Sequence, residues 1–254
     1  MDEKILGRNP VREILRARSR RIKKIVIAEG TKGEPIEDIV RLAEERSLKM
    51  EYTLRDNLTR VADSPHHQGV MAIVSPYSYR ELEEILTAIS RGKEIFLLIL
   101  DQIEDPQNLG SLLRTAETVG VQGVIIPERR AVGITAAVVK ASAGSSEHIP
   151  VVRVVNLART IDNLKERGIW IVGLDATASQ EIYQLDLHIP LALVIGNEGR
   201  GIQFLIKKKC DFLTRLPMKG KVSSLNAAVA GAVAMYEVLR QRECSEAVRL
   251  LSSQ

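Results

Sequence analysis

Five short, unbroken apolar runs limit what this chain can fold into: Ile95–Leu100 (IFLLIL), Gly123–Ile126, Val151–Val154, Ile169–Leu174 and Leu191–Ile195. A strand with one wet face alternates apolar and polar residues. A run without alternation must be covered on both faces, as in a parallel sheet. Helical spacing fills the intervals at Leu109–Val119, Ile134–Ala141 and Leu157–Arg167, and follows the last run at Ile202–Lys209. Strands alternating with helices are βαβ units, so residues 93–254 are expected to form a doubly wound α/β domain.

The first 75 residues read as a second, smaller α/β unit. Asn9-Pro10 has the form of a cap and first-turn pair. Val11, Ile14 and Leu15 then make an apolar stripe, while Arg12 and Arg16 share another face. Strands are expected at Ile22–Ala28, Glu51–Leu54 and Val70–Val74, and helices at Ile36–Leu48 and Leu58–Ala62. Residues 76–92 read as a linker, with a helix over Arg80–Ser90 closed by Gly92. The domain boundaries are therefore 1–75, 76–92 and 93–254.

Charge is unevenly placed. The chain of 254 residues carries a net +4, yet residues 1–30 alone hold nine Lys and Arg against four acids. A local basic surface on a near-neutral body fits an anionic partner, nucleic acid first; a solvated helix face is the other reading. No apolar run reaches the ~18 residues of a membrane span, and MDEKILGRNP lacks the apolar core of a secretory leader. Cys210 and Cys244 are far apart, and the four histidines have no ligand spacing, so no metal site is expected and cytoplasmic free thiols are.

Three stretches carry candidate chemistry. After the first run of the larger domain comes DQIEDPQNLG, with no glycine cradle and no P-loop lysine, which argues against a dinucleotide fold or a Walker-type NTPase. It places Asn108 at a helix entrance and Arg114 about one and a half turns on, either as cap and surface residue or at a strand-end ligand site. The second stretch, IGNEGRG (195–201), holds three glycines, which allow close backbone approach, and puts Glu198 in the same strand-end crevice. In the third, Ser224 and Asn226 flank Leu225 before a helix of Ala and Gly, where Ser224 fits a helix cap or a ligand contact. A helix so poor in large side chains is suited to close backbone packing.

Together DPQNLGSLLRTAETVG (105–120), IGNEGRG (195–201) and LPMKGKVSSLNAAVAGAVAMYE (216–237) resemble the three motifs of the SpoU, or TrmH, family of RNA ribose 2′-O-methyltransferases, in the SPOUT superfamily. LGRNPVREIL (6–15) and HQGVMAIV (67–74) are similar to the ribosomal-protein-like RNA-binding domain of its longer members, closest to those that methylate a guanosine ribose of 23S ribosomal RNA. The resemblance implies a SPOUT-type sheet ending in a deep trefoil knot, S-adenosylmethionine as methyl donor, and a homodimer paired through the knotted region. It implies cofactor contacts at Gly196, Leu216, Met218 and Leu225, and a catalytic set of Arg114, Asn108, Glu198, Ser224 and Asn226. Arg8, Asn9, Arg12 and Arg16 are the candidates for RNA contact.

A ribose hydroxyl is a weak nucleophile, so it needs a proton acceptor and in-line alignment with the methyl group. The resemblance points to Arg114, but a free guanidinium is protonated at any ordinary pH. Either Arg114 clamps an RNA phosphate that takes the proton, or a neighbouring cation alters the guanidinium; Glu198 is chemically the easier base. Three other readings stand beside this one: methylation of transfer RNA, an RNA-binding assembly factor without turnover, and a nicotinamide-dependent enzyme on the same kind of sheet.

Overall fold

The computed structural model describes residues 2–89, 94–221 and 224–252, with the backbone alone for 245–252. Ser90 and Gly92, expected to close the linking helix, lie outside the described residues. The elements run β1 (Glu3–Leu6), α1 (Arg8–Ala17), β2 (Ile22–Ala28), α2 (Glu34–Glu45), β3 (Met50–Thr53), α3 (Arg55–Ala62), β4 (Val70–Val74), α4 (Leu82–Ala88), β5 (Phe96–Asp101) and α5 (Pro106–Thr118). They continue with β6 (Gly123–Pro127), α6 (Ala136–Ala141), β7 (Val151–Val154), α7 (Leu157–Glu166), β8 (Trp170–Leu174), β9 (Gln180–Glu181), β10 (Leu191–Gly196), α8 (Phe204–Lys209), β11 (Phe212–Arg215) and α9 (Ala227–Ser252). Among the described residues no helix is long and apolar enough to cross a membrane.

The chain divides into two compact units, 1–78 with 134–148, and 79–133 with 149–254. The first has a four-stranded sheet in the order β1-β4-β2-β3, antiparallel except for the β2–β3 pair. Ile25, Val26, Ile27 and Ala28 are all buried in β2, because α1 and α2 cover one face and Leu58 and Ala62 of α3 pack on the other. Helix α1 begins at Arg8 with Gly7 as its N-cap. The Asn9-Pro10 cap expectation is therefore corrected: the φ of 102° at Gly7 turns the chain two residues earlier, and Asn9 is already helical.

Two sequence boundaries also shift. Residues 134–148, expected in the larger domain, pack into the first unit: the Arg20 Nη2 and Nε groups lie 2.8 and 3.0 Å from the two carboxylate oxygens of Glu147, and both side chains are buried. Arg20 Nη1 also donates to Glu3 at 2.7 Å, and Ser19 Oγ to Glu147 at 2.6 Å. Residues 79–88, expected as linker, begin the second unit, where Ile85 joins the core and Arg80 bridges to Val152.

His67, fully buried in the first unit, accepts from Gly69 N at Nδ1 and pairs with Thr59 Oγ1 through Nε2, both at 3.0 Å. Burial holds its imidazole below the ordinary histidine value, with Arg55 adding to the effect. The unfolded chain takes up this proton near pH ~6.5 and the folded one only at lower pH, so stability falls as pH drops through that window, by at most ~1.4 kcal/mol per pH unit. Melting curves from pH 7.5 to 5 should fall less steeply for His67→Gln than for the wild type.

The second unit is built on seven parallel strands in the order β7-β6-β5-β10-β8-β11-β9. All six residues of β5 and of β10 are buried, as the unbroken apolar runs require. Helices α5 and α9 pair with each other, as do α7 and α8, and Leu157, Ile161, Leu164 and Ile206 of the latter two fill the core with Ile99 and Val194. Gly231 lets α9 lie against α5; a Cβ there would come within 2.4 Å of Leu112 Cδ2.

The far part of α9 is anchored by Arg242, which donates to the carbonyl oxygens of Leu187, Glu94, Ile95 and Ile189 at 2.9–3.2 Å. Burial lowers its pKa, against the pull of Glu94. Four carbonyls would lose a charged donor in Arg242→Ala, so a loss of about 3 kcal/mol is expected, seen as a lower midpoint in urea unfolding.

Candidate active site

The site lies at the carboxyl ends of β5, β10 and β8, where open parallel sheets gather ligands. Gly196 ends β10 in register with Asp101 of β5. Asn197 N and O then exchange hydrogen bonds with Gly201 O and N, at 3.1 and 2.8 Å, closing a five-residue loop. The Asn197 side chain secures it inside and out: Oδ1 accepts from Gly199 N at 3.0 Å, and Nδ2 donates to Gln102 O at 3.0 Å. The loop's exit is held by Asp101, whose buried carboxylate accepts from Gln203 N at 2.7 Å and Nε2 at 2.6 Å.

That loop presents Glu198 to two amides. Its Oε1 accepts from Asn108 Nδ2 and, at 2.6 Å, from Asn226 Nδ2, which also lies 3.0 Å from Asn108 Oδ1. Residues 90 and 118 positions apart in the chain thus form one cluster. Asn108 does not cap α5, because Asp105 does so by accepting from Gln107 N, which leaves Asn108 buried against Glu198. Nor is Ser224 the cap of α9; Asn226 is, its Oδ1 accepting from Ala228 N at 2.9 Å and Val229 N at 3.2 Å. Ser224 is exposed and lines the crevice.

The crevice beside the cluster is lined by Gly196, Glu198, Leu216, Met218, Ser224 and Leu225, and mostly by apolar atoms. It is open at its mouth, with about 650 Å³ of empty space when the solvent there is counted in. All four candidate cofactor residues therefore meet at one place. Leu174, which ends β8, and Asp175 and Ala176 after it form a wall the sequence reading missed. Burial would raise the Asp175 carboxyl, but hydrogen bonds from Lys207, 2.8 Å away, and Thr177 outweigh it and hold the group below the usual range. Among the described residues no group of His, Cys, Asp and Glu could hold a metal ion.

Arg114 stands apart. It is exposed on α5, six residues beyond Asn108 and so ~120° around the helix from it. The RNA candidates of the first unit are largely engaged within it. Arg8 Nε donates to Gln68 O, Arg12 lies 3.2 Å from Glu13, and Arg16 pairs with Glu13 and, at 2.6 Å, with Asp38; Asn9 is exposed.

Fold and site together define an α/β protein with a small-molecule crevice and a carboxylate–amide cluster at its lip. The chain belongs to the SpoU rRNA Methylase family, which matches residues 95–236, while residues 4–80 match the RNA 2'-O ribose methyltransferase substrate binding family. It is 48% identical to YacO of Bacillus subtilis (strain 168), assigned to the TrmH family of tRNA/rRNA methyltransferases, over 94% of this chain and 95% of that one. The SpoU methyltransferase AviRb from Streptomyces viridochromogenes, solved in complex with the cofactor AdoMet, is 25% identical with a TM-score of 0.80, covering 96% of this chain and 91% of that one. The TrmH/SpoU tRNA modifying enzyme of A. aeolicus, 26% identical with a TM-score of 0.56, covers 65% of this chain and 84% of its own.

Proposed function

We propose that this protein methylates the 2′-hydroxyl of a ribose in RNA with S-adenosylmethionine, the target being a guanosine of 23S ribosomal RNA. The observation that carries the reading is the Asn108–Glu198–Asn226 cluster at the lip of an apolar crevice that also holds Gly196, Leu216, Met218, Leu225 and Ser224. The AdoMet complex of AviRb supports the cofactor. The crevice suits such a ligand, with apolar walls and a strand end that no side chain can obstruct at Gly196.

S-adenosylmethionine supplies an electrophilic methyl group when bound. Gly196 and Leu216 line the cofactor's seat, and Met218 and Leu225, about 39% and 37% exposed, cover it and exclude water. With Oε1 occupied by two amides, Glu198 holds Asn108 and Asn226 in place, and Ser224 orients the ribose hydroxyl from the crevice side. Arg114, exposed and with no ion partner among the described residues, would clamp an RNA phosphate placed to take the proton from O2′. The C-terminal segments thread a trefoil knot, and two chains pair along α9, where Val229, Val233 and Tyr236 form an exposed apolar stripe at helical spacing. The protein acts in the cytoplasm.

Ribosomal rather than transfer RNA is the reading favoured by the substrate-binding match over residues 4–80; the A. aeolicus tRNA modifying enzyme matches 65% of this chain. Mapping 2′-O-methyl groups across all stable RNA in a strain lacking this protein tests the reading. One lost guanosine site in 23S ribosomal RNA is expected; a lost transfer-RNA site would move the substrate, and no lost site would refute the activity.

A further inference from the structure

The loop after β6, residues 128–133, is held from three sides and carries two arginines that pair with no side chain among the described residues. Glu128 N donates to Val154 O at 2.9 Å, and Val132 N donates to Ile103 O at 2.9 Å. Arg153 braces the loop, donating to Glu128 O at 3.0 Å while its guanidinium lies 5.5 Å from the Tyr79 ring centre. Tyr79 also underlies Gly133, where a Cβ would meet its hydroxyl at 2.7 Å. On this support Arg129 and Arg130 are exposed, and neither has an ion pair or side-chain hydrogen bond among the described residues. The carboxylates of Glu104, Asp105 and Glu128 are close in the chain or in the adjoining loop, yet neither arginine takes one.

The backbone at Arg130 points the same way. Its φ is 57°, a left-handed conformation that L residues adopt at a cost. Among the described residues seven non-glycine residues share it, and four of them (Arg18, Ser47, Asp63 and Ala143) close helices, where a left-handed residue is the ordinary ending. The remaining three are Gln68, Gln102 and Arg130, and the Gln102 carbonyl accepts from Asn197 of the candidate active-site loop. Strain held in a braced loop is a mark of a binding position.

The loop's place supplies the ligand. It leaves the same edge of the parallel sheet as the crevice, and Ile103, its partner, lies two residues before Asp105, the cap of the helix that carries Asn108 and Arg114. We propose that Arg129 and Arg130 bind backbone phosphates of the substrate RNA beside the methyl-transfer site, through the two-pronged geometry of guanidinium and phosphate. The nearby carboxylates leave little net field, so these contacts act at short range and position the strand without reading its bases. The inference rests on the RNA-methylation reading above.

The test is binding of an unmodified 23S ribosomal RNA transcript over a series of salt concentrations, with S-adenosylmethionine affinity and melting temperature measured alongside. Arg129→Gln with Arg130→Gln should weaken RNA binding about tenfold and flatten the log–log salt dependence by about 1.4, roughly 0.7 for each lost single-strand contact, with cofactor affinity and melting unchanged. Arg129→Lys with Arg130→Lys should keep most of the salt dependence. Wild-type affinity and slope in the Gln pair would overturn the proposal, and so would a Lys pair as impaired as the Gln pair, because packing rather than charge would then be at work. A wild-type protein that binds the transcript with this arginine-dependent slope but transfers no methyl group would leave the contact standing and refute the ribose-methylation reading instead.

Discussion

Gly196→Ala should abolish S-adenosylmethionine binding. The added Cβ would stand 2.3 Å from Gly201 C and Ile202 N and 2.4 Å from Gly201 O, all backbone atoms. A flexible side chain could swing aside; a loop closed by paired hydrogen bonds between Asn197 and Gly201 and pinned by Asp101 through Gln203 has nowhere to go. It would have to open, taking Glu198 from its two amides and widening the crevice. A loss of at least ~3 kcal/mol in cofactor binding, or about a hundredfold in affinity, is expected from calorimetry. Gly199→Ala is the control: its nearest neighbour is Asn197 Oδ1 at 3.7 Å, an ordinary contact, and binding should persist.

Arg114→Ala should remove methyl transfer while sparing the cofactor. Arg114 is exposed, outside the crevice lining and without a contact to the Asn108–Glu198–Asn226 cluster, so its loss leaves the pocket intact. Removing a charged group that acts on the reacting atoms costs ~10²–10³ in rate. Single-turnover transfer to RNA is expected to fall at least that far, with S-adenosylmethionine affinity unchanged and RNA binding retained. Unchanged transfer would take Arg114 out of the mechanism. The assembly-factor reading predicts no transfer by the wild type either, since without turnover Arg114 has no rate to lose.

Much of this was legible in the chain because it depends on short-range pattern. The five unbroken apolar runs are β5, β6, β7, β8 and β10, and the Ala/Gly stretch after Asn226 is the helix that Gly231 seats against Leu112. The three motifs were each visible, and their meeting as one set was implied by the family resemblance; what joins residues 108, 198 and 226 is sheet order, which puts β10 beside β5 across 90 residues of chain. One cap was misread, at Asn9, and two were left open, at Asn108 and Ser224. At Gly7, Asp105 and Asn226 the helix entrance is set by loop geometry that residue type alone did not decide among Asn9, Asn108 and Ser224. Strands β1, β9 and β11 have two to four residues, too few for a periodicity to stand out. Asp101 and Asp175 passed unnoticed as acids at strand ends; what marks them is burial, visible only once the sheet is assembled.

The most direct measurement of the central claim is transfer of labelled methyl from S-adenosylmethionine to an unmodified 23S ribosomal RNA transcript by the purified protein, followed by alkaline hydrolysis. A 2′-O-methylated ribose blocks cleavage of the next phosphodiester, so the label should be recovered in an alkali-resistant dinucleotide whose 5′ member is guanosine. Label recovered only in mononucleotides, on a base, would contradict the account, as would RNA that takes up no label at all.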